Sequence, residues 1–162
     1  MITGTMPPTL RPACGSDYAT VATWSTSAAA CLRWAGPRLP FPFAAVDLER
    51  LFEIPGGGCS HVLASGTEPP LGFSQHWVAI PGAVHLGRII VAPALRGHGL
   101  GRLLVERSIE RAAREPGAQS VTLRVYRDNA AALRLYQSLR FVEEPASSTA
   151  EVAFMRAAIA CP

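Results

Sequence analysis

A chain of 162 residues with 49% hydrophobic and 17% charged side chains can bury one core, which excludes a disordered polyelectrolyte. The net charge is +3, all 15 basic residues are arginine, and they are scattered, which argues against nucleic acid. The absence of lysine excludes a Walker-type phosphate loop and Schiff-base chemistry, and fits codon usage in a GC-rich genome.

Residues 8–13 suggest a short first strand. Ser16 or Asp17 is placed to cap a helix running to about Trp24, and a second helical stretch covers residues 27–34 before Gly36-Pro37. Three prolines in Pro37-Arg38-Leu39-Pro40-Phe41-Pro42-Phe43 rule out helix and central strand, so an ordered loop with aromatic anchors is expected. A short helix at 45–53 ends at Pro55 and Gly56-Gly57-Gly58. Residues 60–65, 71–80 and 84–91 then read as strands, the last an almost continuous apolar run suited to burial on both faces. After a glycine-rich turn, Leu100, Leu103, Leu104, Ser108, Ile109 and Ala112 keep helical spacing until Pro116-Gly117. Residues 121–126 alternate as a strand. Asp128 or Asn129 caps a helix to about Leu139, and 141–143 and 152–156 close the chain as strands. A strand meander followed by β-α-β-α-β implies one domain over residues 1–162, a mixed α/β fold with helices on both faces of the sheet.

No segment is long and apolar enough to span a bilayer, and residues 1–11 lack the charged and apolar regions of a signal peptide. A soluble cytoplasmic protein without a membrane partner is expected. Cys14, Cys31, Cys59 and Cys161 form no metal-type spacing, and free thiols are expected; no metal is called for.

The segment Arg96-Gly97-His98-Gly99-Leu100-Gly101 lies between a buried strand and a helix. Unpaired N–H groups of the first helical turn, the helix macrodipole and three closely spaced glycines together form an anion nest. Arg96 and Arg102 flank it with full charges, and a diphosphate is its natural ligand. The third glycine comes one residue too early for a dinucleotide-binding G-x-G-x-x-G.

The pattern Val91-x-Pro93-x-x-Arg96-Gly97-x-Gly99-x-Gly101 resembles the signature of the GNAT superfamily of N-acetyltransferases. The later segment from Asn129 through Ala132, Leu135-Tyr136 and Phe141 is similar to that family's second motif. The likeness is specific over residues 84–143. It implies a mostly antiparallel sheet of about seven strands, splayed at its centre, and acetyl-CoA as cosubstrate. On the resemblance, the backbone of Ile90, Val91 and Ala92 receives the pantetheine arm. The loop Arg96, Gly97, His98, Gly99, Leu100, Gly101 and Arg102 takes the pyrophosphate, and Asn129 and Ala132 lie on the cofactor side of their helix. Tyr136, two turns after Asn129, becomes the general acid for the leaving thiolate.

No acid lies on the strands where many relatives carry a catalytic glutamate, and Arg124 occupies one of them. His85 is taken as the candidate base, ahead of His76, Glu53 and Glu143, and a partly neutral substrate needs none. Arg140 stands where the family has a glycine at the helix end, a left-handed position costing a side chain about 1 kcal/mol. A free arginine there is also suited to an acceptor carboxylate. Trp24, Trp34, the 37–43 loop and residues 143–148 are the expected acceptor walls. The expected partner is a small-molecule amine, with a homodimer left open. A non-catalytic acyl-CoA sensor and a nucleotide-binding protein are the competing functions.

Overall fold

Seven strands and five α-helices form along residues 6–159, which the computed structural model describes. The expected leaderless N-terminus is therefore described only from Met6, and Cys161 lies outside the described residues. The strands are β1 (Thr9–Pro12), β2 (Cys59–Ala64), β3 (Gly72–Ile80), β4 (Ala83–Val91), β5 (Ser120–Tyr126), β6 (Val142–Glu143) and β7 (Val152–Ala158). They join one sheet in the order β1-β2-β3-β4-β5-β7-β6. β1 pairs antiparallel with β2, and β7 pairs antiparallel with both β5 and β6. β4 and β5 are parallel over a short ladder in which Ala83, Val84 and His85 face Ser120, Val121 and Thr122. β5, by contrast, pairs with β7 along its whole length. The sheet is mixed and mostly antiparallel, as the resemblance implied. No helix among the described residues is long and apolar enough to cross a membrane.

The chain clusters into two compact units. The first comprises Met1–Gln75 and Arg88–Arg107. Its helices are α1 (Gly15–Val21), α2 (Ala28–Ala35) and α3 (Leu48–Leu51). α1 is capped by Cys14 rather than by Ser16 or Asp17. Asp17 instead occupies the third helical position, where its Oδ2 accepts the Cys14 N–H at 2.9 Å. Burial raises the proton affinity of Asp17, but hydrogen bonds from Arg11 at 2.6 and 2.9 Å hold its carboxyl below the usual range. Ser27 caps α2 by accepting from Ala30 N at 3.1 Å. The helix expected at 45–53 is shorter: a 3-10 turn, Ala45–Asp47, leads into α3. Val21, Cys31, Leu48, Phe52, Val62, Phe73 and Ile90 form the core of this unit. Burying Phe52 and Phe73 contributes about 2–3 kcal/mol each. Trp34 packs edge-on against both, with ring centroids at 5.2 and 6.4 Å. Its Nε1 donates to the Arg88 carbonyl at 2.9 Å, so the half-buried Trp34 is fixed onto the core.

The second unit comprises His76–Gly87 and Ser108–Pro162. Val121, Leu123 and Val125 of β5 are buried on one face, and Thr122 is buried on the other. Helix α5 (Ala130–Ser138) starts at Asn129, whose Oδ1 accepts from Ala132 N at 3.2 Å. It ends in a Schellman motif. Arg140 takes φ 67°, its N–H donates to the Gln137 carbonyl, and the Phe141 N–H reaches back to the Tyr136 carbonyl, both at 3.0 Å. The Phe141 ring then meets Tyr136 edge-on at 5.8 Å, the apolar contact that accompanies such an ending. The family's glycine position therefore keeps its left-handed backbone with arginine in it. Helix α4 (Leu100–Ala112) runs from the first unit into the second, with Leu104, Val105, Ser108 and Ala112 buried.

Candidate active site

Between β4 and α4 the chain turns once through Pro93–Leu95. Gly97 and Gly99 then take φ of 81° and 80°. A Cβ at either would meet nothing within 4 Å, so backbone conformation, not crowding, requires glycine there. The result is a row of unpaired N–H groups. Among the described residues, those of Gly97, His98, Gly99, Leu100 and Gly101 donate to no protein acceptor. The loop is tied to itself by Arg96 Nε to the Val91 carbonyl and His98 Nδ1 to the Leu95 carbonyl, each at 3.3 Å. Arg102 pairs with Glu106 one turn on at 2.8 Å, an exposed pair that leaves its charge near the helix start. Ile90 is buried, and the Ala92 N–H already donates to the Leu71 carbonyl at 2.9 Å. Orphan donors, the α4 macrodipole and two arginines are the features that anion-binding loops combine.

In the second unit, α5 carries Asn129, Ala132 and Tyr136. Asn129 spends its Oδ1 on the Ala132 N–H, while its Nδ2 has no partner among the described residues. Tyr136 is 7% exposed, and its hydroxyl also has no hydrogen-bond partner among the described residues. Burial pushes its phenol up to about 12. His85 lies between Trp77 and Phe154, ring centroids at 4.8 and 6.2 Å, and its Nδ1 meets Thr122 Oγ1 at 2.8 Å. Burial first, and then the charge of Arg124, bring its pKa down to about 4. His76 Nε2 contacts Glu115 Oε1 at 2.9 Å. Glu143 is bound by Arg127 at 2.5 and 3.1 Å, which holds its carboxyl below the usual range. Glu53, in the first unit, lines a cavity of about 480 Å³ with Tyr18, Glu49, Ser60 and Gln75.

β4 also holds a candidate residue that the spacing of its neighbours does not mark. Arg88 interrupts the apolar run with φ 51°, and its guanidinium lies 4.5 Å above the Phe52 ring. The pair Gly87-Arg88, in a strand apolar but for His85, is the available signal.

Residues 28–141 match the model of the Acetyltransferase (GNAT) family. The chain belongs to that family. N-alpha-acetyltransferase 40 of Saccharomyces cerevisiae is 36% identical to this GNAT chain over 98 residues, 57% of the chain and 34% of the relative. The match thus spans about a third of that curated relative's length. Spermidine N-acetyltransferase from Vibrio cholerae, solved with CoA and spermine, superposes with a TM-score of 0.77 at 19% identity, covering 93% of this chain and 95% of that one. Aminoglycoside acetyltransferase AAC(6')-Ib, solved with coenzyme A, gives a TM-score of 0.72 at 21% identity over 93% and 94% of the two chains. At these identities the two structures establish the shared fold.

Proposed function

We propose that this GNAT chain transfers the acetyl group of acetyl-CoA to the primary amine of a small molecule, by direct attack and without a metal ion. The observation that carries the proposal is the row of unpartnered N–H groups from Gly97 to Gly101, held open by two left-handed glycines. A pyrophosphate supplies the acceptors they lack, with Arg96 and Arg102 adding charge. The backbone of Ile90, Val91 and Ala92 and the free amide of Asn129 serve the pantetheine arm. The spermine and coenzyme A bound in the two neighbouring structures support an amine acceptor and this donor. The curated relative, an N-alpha-acetyltransferase, favours a protein N-terminus as a second acceptor class. Cys14, Cys31 and Cys59 are free thiols, which suits a cytoplasmic setting.

In the reaction the amine nitrogen bonds to the thioester carbonyl carbon, and the Val91 N–H stabilises the charge on oxygen. The C–S bond then breaks, the thiolate takes the proton of Tyr136, and solvent returns one to the phenolate. A phenol pushed up to about 12 stays protonated throughout the physiological range, the form a general acid needs. His85 accepts the proton lost by the amine. Thr122 engages Nδ1, so Nε2 is the working atom; a pKa of about 4 keeps the ring neutral but makes it a weak base, able to take the proton only after the nitrogen has bonded to the carbonyl carbon and become acidic. An amine already neutral needs no such help.

Thermal shifts with CoA, ATP and NAD, followed by an amine screen detecting free thiol, test the proposal. Stabilisation by CoA and thiol release only with amine present are expected. A shift with ATP or NAD alone, or acetyl-CoA binding without amine-dependent release, would overturn it.

A further inference from the structure

We infer that Arg88 anchors a carboxylate on the acceptor, so that the substrate class is an amino-carboxylate, an α-amino acid or close analogue, rather than a simple alkylamine. This rests on the transferase assignment above. Arg88 is built into place. Its backbone sits at φ 51°, a conformation that costs a side chain about 1–2 kcal/mol and persists only where the surroundings impose it. Trp34 Nε1 holds its carbonyl at 2.9 Å. Its Nη1 donates to Gln75 Oε1 and, at 3.5 Å, to the Phe52 carbonyl. Gln75 is itself oriented, because its Nε2 donates to the Phe52 carbonyl at 2.9 Å and to Ser60 Oγ at 2.7 Å. That leaves Oε1 for the arginine.

Every one of these partners is neutral. Among the described residues no carboxylate pairs with Arg88, and burial and the like charge of Arg38 both work against its protonated form. A half-buried cation over an aromatic face, with no carboxylate partner, is held against its own desolvation. The guanidinium also has unused donors. Its Nε–H and both Nη2–H groups make no hydrogen bond among the described residues. Those atoms form the side-on edge that takes a carboxylate through two parallel bonds. A point cation or a neutral ligand satisfies neither the charge nor the fork.

The test compares matched pairs: α-amino acids against their carboxamides and decarboxylated amines, at saturating acetyl-CoA, with wild type, R88Q and R88K. The free acid is expected to be preferred by about tenfold to a hundredfold in kcat/KM, mostly through KM. R88Q brings the ratio to about one, and R88K, which keeps the charge but not the fork, falls between. Thermal-shift titration with the same amino acids and carboxamides, without acyl donor, reads the anchor independently of turnover. Amines turned over with no preference for the acid, or a preference that survives in R88Q, overturn the inference and leave the transferase assignment standing. Selective binding of acids without turnover of any amine does the reverse. Neither binding nor turnover overturns both. If R88Q does not fold, the wild-type ratio and R88K decide, and a wild-type ratio of about one is fatal.

Discussion

Replacing Arg140 with glycine is expected to stabilise the protein. Arg140 is the left-handed residue of the Schellman motif that ends α5, and its exposed side chain has no partner among the described residues, so little is lost with it. The left-handed backbone costs a residue with a Cβ about 1–2 kcal/mol relative to glycine. Glycine's larger unfolded-state freedom returns about 0.5–1 kcal/mol of that. The net gain is about 0.5–1 kcal/mol, or about 1–4 °C in melting temperature for a chain of this size. Arg140→Ala is the control, since it removes the guanidinium but keeps the Cβ; it should stay within about 0.3 kcal/mol of wild type. Urea unfolding of the three proteins is the assay. If glycine is no more stable than alanine, the strain at the helix end is not real, and Phe141 rather than backbone geometry holds the motif together.

Tyr136→Phe should lower kcat by about 10²–10⁴-fold while leaving the urea midpoint almost unmoved, because the lost hydroxyl has no partner; unchanged turnover refutes the acid role. Ionisation of Tyr136 should cause no fall in kcat as pH rises to about 10. His85 carries a pKa lowered to about 4, so between that value and about 6.5 the unfolded chain binds the extra proton. Stability should therefore rise with pH through this window and level off above it, by roughly 3 kcal/mol, and His85→Gln should flatten the rise; an equally steep slope in the variant places the titration elsewhere. Gly99→Ala should weaken CoA at least about fivefold by calorimetry, whereas Gly36→Ala, at a similar φ of 76°, should cost comparable stability and leave CoA binding intact. Equal affinities in the two variants would remove the loop from the CoA site.

The parts of the fold that the sequence made legible are those written in local chemistry. The Gly97 and Gly99 turn, the Asn129 cap and the apolar run of β4 each follow from a few neighbouring residues, and all are present. The start of α1 was misjudged because Asp17 caps from inside the helix, a choice made by Arg11 across the first turn. Arg88 is hidden from the sequence pattern for a related reason. A strand pattern shows which residues are apolar but not where the backbone bulges, and the partners that make Arg88 conspicuous, Trp34, Phe52 and Gln75, are far from it in sequence. His85 and Tyr136 were found by position, but their titration depends on burial, which no local pattern encodes.

The boundary between the two compact units cuts through β3, β4 and α4, so neither unit is a continuous stretch of chain. This sets the order of events during synthesis. When residue 75 leaves the ribosome, most of the first core has been made, but Ile90 is missing from it. So is Leu104, whose side chain lies so near Gly72 that a Cβ there would come within 2.9 Å of it. The first unit therefore closes only after residue 107 emerges, by which point the first segment of the second has already been made. A ribosome paused before that point displays an unfinished apolar face, and no single cut of the chain separates the two units.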